Sequence, residues 1–137
     1  MIVFAKELLY EVVREAESLL RLHFEEVAND DTFNPQWELY AGLEQAGAFD
    51  VFTARENGML VGYAAMFVMP HMHSGLLFAN SDVIYLHPEY RRGITGLKFI
   101  QFCEEQINER GANKISWHIK PSLDFRPIMH RIGYYDD

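Results

Sequence analysis

The sequence predicts an α/β or α+β domain built around one mixed sheet. Three observations carry this reading. Two helical patterns open the chain, three β-prone runs separated by turn chemistry follow, and a helix, a strand and a short helix close it. With 137 residues, 49% hydrophobic and 23% charged, the chain has the size of one domain, and residues 1–137 are expected to form a single unit. Such a chain buries roughly two-thirds of its unfolded surface, enough for a core without metals or disulfides.

From Ala5 to Ala28, Leu9, Val12, Val13, Ala16, Leu20 and Val27 recur at helical spacing, with Glu11, Arg14, Glu15 and Glu25 mostly off the stripe. Asn34-Pro35 has the chemistry of a cap followed by a first-turn proline, and predicts a short helix running towards Gly47. Phe49 to Arg55 alternates, Asn57-Gly58 is a hairpin turn signal, and Met59 to Met69 is β-prone. Pro70 to Gly75 interrupts, and Leu76 to Leu86 reads as a third strand of an antiparallel meander. A helix is expected from about Ile94 to Arg110, its stripe set by Gly96, Phe99, Ile100, Cys103 and Ile107. A strand over Lys114–Lys120 and a helix over Ser122–Ile132 complete the order α-α-β-β-β-α-β-α.

Lys and Arg total 12 against 20 Asp and Glu, a net charge of −8. That balance argues against a chain whose main task is to hold nucleic acid, which needs a net basic surface. The single cysteine, Cys103, excludes an internal disulfide framework and fits a reducing compartment. No apolar run reaches the ~18 residues of a membrane span, and Met1 to Lys6 lacks the basic start of a secretory leader. These points predict a cytoplasmic protein that does not engage membranes.

Arg91 and Arg92 stand out against the acidic balance. They lie between a strand ending at Leu86 and an amphipathic helix, with Gly93 and Gly96 close behind. A helix start leaves N–H groups without partners and favours an anion, glycines let a ligand approach the backbone, and arginines add charge-assisted contacts to phosphate. The physical reading is a phosphate or pyrophosphate site; the bland one makes the arginines a solvated pair and Gly96 a packing glycine.

The run Val83-Ile84-Tyr85-Leu86-His87-Pro88-Glu89-Tyr90-Arg91-Arg92-Gly93-Ile94-Thr95-Gly96 resembles the acetyl-CoA-binding motif of the GNAT superfamily of N-acetyltransferases. There, a strand and V-x-P-x-x-R precede R/Q-x-x-G-x-G/A and a helix. Lys120-Pro121-Ser122 and the helix closing in Arg131-Ile132-Gly133-Tyr134 resemble the family's second landmark, so the likeness covers about residues 49–135. The wording of Pro70–His73, Asn80–Gly93 and Lys120–Phe125 is similar to that of small phage-encoded GNAT-like proteins.

The resemblance implies a mostly antiparallel sheet flanked by helices, with splayed strands forming an acetyl-CoA cleft. The strand at 83–86 would bond the pantetheine arm through backbone groups of Ile84 and Leu86, flanking Tyr85, and the amides of Arg92, Gly93, Ile94, Thr95 and Gly96 would cradle the pyrophosphate. Arg91 would add a phosphate contact, and Ser122 would bond the cofactor arm or cap its helix. The implied reaction is direct attack of an amine on the thioester, which requires that the amine lose a proton and the CoA thiolate gain one. The acceptor would be a small molecule or a protein amine, entering between the two N-terminal helices and the 70–75 loop. Two positions depart from the pattern: Ile94 replaces a middle glycine, and Met129 stands where a tyrosine often protonates the thiolate. They motivate an alternative, a non-catalytic CoA-binding or interaction module on the same fold.

Among the candidates, Asp82 lies inside an apolar strand, where an unpaired carboxylate costs several kcal/mol, so it must be hydrogen-bonded or shifted in pKa. It and Asn80 occupy positions where various GNAT enzymes keep a base, and both are expected to share one strand face with Ile84 and Leu86. Asp82 is read as the base, directly or through water, or else as a structural acceptor. Tyr134 is the candidate acid, against a packing role or protonation by solvent. His71, His73 and His118 have no metal-ligand spacing, His23 reads as a satisfied core histidine, and no metal is expected. The chain stops at Asp137, where the family usually has one more strand; the sheet edge so left could be covered by a second subunit as a homodimer.

Overall fold

The computed structural model describes residues 1–27, 34–91, 93–119 and 124–136. Five strands form one sheet in the order β1-β2-β3-β4-β5: β1 (Ile2–Glu7), β2 (Phe49–Glu56), β3 (Met59–Pro70), β4 (Leu77–Leu86) and β5 (Lys114–Ser116). The first four pair antiparallel, and β5 lies parallel to β4. Helices α1 (Leu9–Val27) and α2 (Trp37–Gln45) precede β2; α3 (Thr95–Glu109) connects β4 to β5, and α4 (Arg126–Arg131) follows. The mixed, mostly antiparallel sheet and its flanking helices agree with the sequence-derived fold class.

The helical pattern predicted from Ala5 begins only at Leu9, because Ile2–Glu7 are a strand. What holds β1 is non-local: it pairs along β2, and Arg55 of β2 bonds Glu7 Oε2 at 3.0 Å and Glu15 of α1 at 2.9 Å. Leu8 N–H donates to Glu11 Oε1 at 3.0 Å, satisfying a free donor at the α1 start. Asn34 does not cap α2. Gln36 occupies that place without a side-chain cap, and the helix starts at Trp37. Asn57 (φ 50°) and Gly58 (φ 86°) form the hairpin turn between β2 and β3.

The sheet buries both faces. Towards α3, Phe52, Ala64, Met66, Ala79 and Leu86 pack with Phe99, Cys103 and Ile107. Phe4 of β1 stacks on Phe99 at 5.3 Å. Towards α1 and α2, Phe49, Val51 and Ala65 meet Val12, while Leu60, Tyr63 and Tyr85 meet Ala16 and Leu19. The α3 stripe predicted from sequence is the buried one, and burial pushes the Cys103 thiol pKa up, which keeps it from acting as a nucleophile.

Two elements are shorter than expected. β5 ends at Ser116 rather than Lys120, since it pairs with β4 only through Phe78, Ala79 and Asn80. The closing helix runs Arg126–Arg131, with Phe125 at its cap and Pro127 in the first turn, where the missing N–H costs nothing. Lys120 and Ser122 lie outside the described residues.

Candidate functional site

The site is built on a bend in β4. Opposite β3 the register moves by one residue: Ala65 pairs with Val83, but Met66 pairs with Ser81. Asp82 is therefore the extra residue of a β-bulge, a device that re-aims a side chain and increases local twist. The bulge overturns the alternation expected from sequence. Ile84 and Leu86 pair with Ala64 and Gly62 on the α3 side, whereas Asn80 pairs with Phe67 on the α1/α2 side. Asp82 and Val83, consecutive in sequence, both line a cavity beneath α1 and α2.

Beyond the bulge, β4 parts from β5. The chain after β5 stays clipped to β4 at one place, where His118 N–H donates to Ser81 Oγ at 2.7 Å and His118 Nδ1 lies 3.1 Å from the Ser81 carbonyl. From Ser81 to Leu86 the outer edge of β4 has no strand partner among the described residues. His87 N–H reaches across to the Val61 carbonyl at 2.8 Å, so by strand alternation the backbone groups of Leu86 and Ile84 point to the open edge. The Leu86 carbonyl there accepts from Arg91 Nε at 2.7 Å; the Ile84 N–H and C=O face the cleft.

That cleft contains a cavity of about 200 Å³ between β4, the start of α3 and the segment at Asp124–Ile128. Ile84, Tyr85, Leu86, Arg91 and Gly96, all expected from sequence, line it together with Phe99, Ile100, Phe125 and Ile128. At its mouth α3 begins with Ile94 at the cap, with neither a side-chain cap nor an acidic residue in the first turn. The amides of Thr95, Gly96 and Leu97 therefore have no intrahelical partners. Gly93 takes φ +71°, a left-handed turn that glycine adopts without strain, and a Cβ on Gly96 would meet nothing within 4 Å. The Ile94 side chain is 58% exposed, so it does not fill the loop. Arg92 lies outside the described residues.

Arg91 is held from inside. Its Nη1 and Nη2 bond Glu26 of α1 at 3.0 and 2.9 Å, and its guanidinium lies 5.1 Å over the Tyr85 ring. Tyr85 Oη donates to the same carboxylate at 2.9 Å. These bonds, Arg91 foremost, hold the Glu26 carboxyl below its usual pKa, while burial and the carboxylate raise the Tyr85 phenol to about 12.

The second cavity, of about 250 Å³, lies between α1, α2 and the sheet. Its walls include Val12, Leu20, Trp37, Tyr40, Tyr63 and Val83, and Asp82 is the charged residue among the described residues that line it. Burial raises the Asp82 pKa, and the nearby Tyr40 hydroxyl pulls it partway back. Tyr63 Oη is hydrogen-bonded to His23 Nδ1 at 3.0 Å, and His23 stacks on Tyr85 at 4.8 Å, so His23 is the satisfied histidine its place on the helix stripe suggested.

The profile of the Acetyltransferase (GNAT) family matches residues 13–134. The chain belongs to the GNAT acetyltransferase family. No curated protein matches it in sequence. Its fold is similar to a ribosomal-protein-alanine N-acetyltransferase from Brucella melitensis biovar Abortus 2308, at 22% identity and a TM-score of 0.81, covering 100% of this chain and 93% of the other. It is also similar to a predicted acetyltransferase with acetyl-CoA from Clostridium acetobutylicum (15%, TM-score 0.79, coverage 100% and 92%). An aminoglycoside acetyltransferase from an uncultured soil metagenomic sample shares the fold at 16% identity, TM-score 0.78 and coverage of 99% and 91%.

GNAT enzymes use acetyl-CoA, and the first cavity has the donors such a molecule needs. Uncapped α3 amides suit a pyrophosphate, the free Ile84 edge suits an amide-bearing arm, and the apolar walls suit its methylenes. Tyr134 is placed elsewhere. It lines a third cavity with Trp117 and Met129, and its hydroxyl donates to Glu104 of α3 at 2.8 Å; burial and that carboxylate raise its pKa. The structure places Ile84, Tyr85, Leu86, Arg91 and Gly96 on the first cavity, Asp82 on the second and Tyr134 on the third, while Arg92 and Ser122 lie outside the described residues. Sequence reasoning missed Glu26, Tyr40, Trp37 and Tyr63. Each acts across a gap in sequence of 40 or more residues or sits on a helix of ordinary composition, so no local signal marked it. Among the described residues no helix is long and apolar enough to cross a membrane.

Proposed function

We propose that this GNAT protein transfers the acetyl group of acetyl-CoA to an amine held in the cavity beneath α1 and α2. One observation carries the reading: consecutive residues of one strand serve both cavities. Asp82 and Val83 line the second, Ile84, Tyr85 and Leu86 the first, and the bulge is what turns them apart. Acetyl-CoA, when bound, supplies an activated thioester carbonyl. The α3 amides and Gly93–Gly96 hold its phosphates, and the Ile84 backbone holds its arm along β4. The Ile84 region of the strand also provides N–H groups that can polarise a carbonyl at the edge.

Asp82 acts as the base. Its apolar cavity disfavours both a carboxylate and an ammonium, so burial brings the two pKa values towards each other and makes proton transfer from ammonium to carboxylate easier. The amine left behind is the nucleophile. Solvent at the cleft mouth returns a proton to the departing thiolate, because the Tyr134 and Tyr85 hydroxyls are both committed to carboxylates. Arg91 shapes the loop through Glu26 and Leu86 and adds positive potential near the phosphates.

The alternative, a CoA-binding module without chemistry, is favoured by Met129, which is 2% exposed where the family often has a tyrosine. Calorimetry with acetyl-CoA and a thiol-release assay with mixed amines separate the two. One-to-one binding with CoA release that falls 10²-fold or more in Asp82→Asn is expected. Binding without release from any amine selects the module, and no binding removes both. The acidic surface favours cationic acceptors over nucleic acid, and buried Cys103 suits a reducing cytoplasm.

A further inference from the structure

Resting on that reading, we infer that Tyr40 is a positioning residue for the proton transfer: its hydroxyl donates to Asp82 and aims the carboxylate at the acceptor amine. Three observations argue for this. First, Asp82 needs an anchor from outside its own strand. As the extra residue of the bulge it has no partner in the ladder with β3, so strand pairing alone does not fix where its side chain points. Second, Tyr40 comes to Asp82 from α2 with its own ring already fixed. That ring packs on Phe49 at 4.9 Å, on Trp37 at 6.1 Å and on Phe67 at 6.4 Å. Tyr40 and Asp82 line the same cavity, and the hydroxyl is hydrogen-bonded to the carboxylate. Third, Tyr63 of β3 carries the second hydroxyl among the described lining residues, and it is bonded to His23 Nδ1 of α1 at 3.0 Å. Towards the same cavity α1 presents Val12 and Leu20, and β2 presents Val51. Burial and the carboxylate push the Tyr40 phenol pKa up, so it stays protonated and remains a donor at neutral pH. A hydrogen bond to one carboxylate oxygen restrains the rotation of the group and leaves the other oxygen to take the ammonium proton.

The test is a pH titration of the Asp82 carboxyl by infrared difference spectroscopy on the full chain, with Asp82→Asn as the blank, alongside CoA release from acetyl-CoA. The acceptor in the rate assay is whichever of spermidine, 2-phenylethylamine or a lysine peptide reacts fastest. Tyr40→Phe keeps the ring and its packing and removes the hydroxyl. It should raise the Asp82 titration by about one pH unit, since a bond that favours the carboxylate is lost. The acid limb of kcat/KM should move up by the same amount. Above that limb, kcat should fall about fivefold or more, with acetyl-CoA affinity by calorimetry unchanged. A hydroxyl with a merely structural role would lower Tm and move neither the titration nor the limb. An unmoved Asp82 titration, or a limb that stays in place or moves down, overturns the inference. The base reading fails separately: Asp82→Asn at the parental rate removes that reading and this inference together. An inactive Asp82→Asn beside a Tyr40→Phe that behaves as the parent sinks the inference alone. The titration needs no acceptor, so it decides the Tyr40 bond even where no amine is acetylated.

Discussion

Asp82→Asn should make the protein more stable as it makes it inactive. The carboxamide keeps the side chain's shape at the bulge and can still accept from Tyr40, so the change removes little besides the charge. In Asp82 burial outweighs the Tyr40 contact, which leaves the pKa raised. A raised carboxyl pKa means that the folded state binds the proton more tightly than the unfolded one. Stability from this group is full below the unfolded value of about 3.9 and is lost as pH rises through the higher folded value. At pH 8 the ionised native protein therefore bears a cost that the amide lacks. Set against a charge-assisted bond to Tyr40, the net gain should be about 0.5–2 kcal/mol. That corresponds to a rise in Tm of roughly 2–8 °C for a domain of this size. Thermal melts at pH 8 and pH 4 read it directly, with a gap at pH 8 that closes at pH 4. The acid limb of the kcat/KM profile, set by Asp82 above the ordinary carboxylate range, should disappear in the variant. A variant that melts below the parent at pH 8, or keeps its rate within threefold, refutes the reasoning.

Glu26→Gln removes the carboxylate shared by Arg91 and Tyr85; with both ion-pair side chains 30% exposed, it should cost about 1–2 kcal/mol and weaken acetyl-CoA binding by calorimetry. The lowered Glu26 pKa places its stabilisation above the unfolded value and removes it as pH falls through the folded one, so the gap in urea melts should close in acid. Gly62→Ala would set a Cβ 2.8 Å from Leu86 Cδ1 and 2.9 Å from the Tyr85 carbonyl; about 1–3 kcal/mol of destabilisation and weaker acetyl-CoA binding should follow as β4 shifts. Arg110→Ala leaves the Asp50 carboxylate, 6% exposed and bonded by Arg110 at 2.9 Å, with Lys6 alone at 3.4 Å. A loss of about 2 kcal/mol in urea unfolding with no change in acetyl-CoA affinity is expected. Tyr134→Phe should keep the rate within about threefold, since a hydroxyl bonded to Glu104 is not the acid; a 10²-fold loss would reinstate it.

The sequence by itself determined the elements whose signal is local. The meander followed from alternation and Asn57-Gly58, and the α3 stripe from helical spacing. The turn before α3 followed from Gly93 and Gly96 placed between a strand and a helix. Each depends on residues a few positions apart, so periodicity and turn chemistry suffice. Tertiary structure alone decided the features that depend on distant partners. Ile2–Glu7 become a strand because β2 is there to pair with, although the helix expected from sequence starts at Ala5. Arg91 turns inward to Glu26, 65 residues away, in a way its motif does not announce. The bulge is the clearest case. Strict alternation puts Asp82 with Ile84 and Leu86, yet a one-residue register shift against β3 sends it to the opposite cavity. Register is set by how two strands pack their faces, and a single strand's sequence does not contain that information.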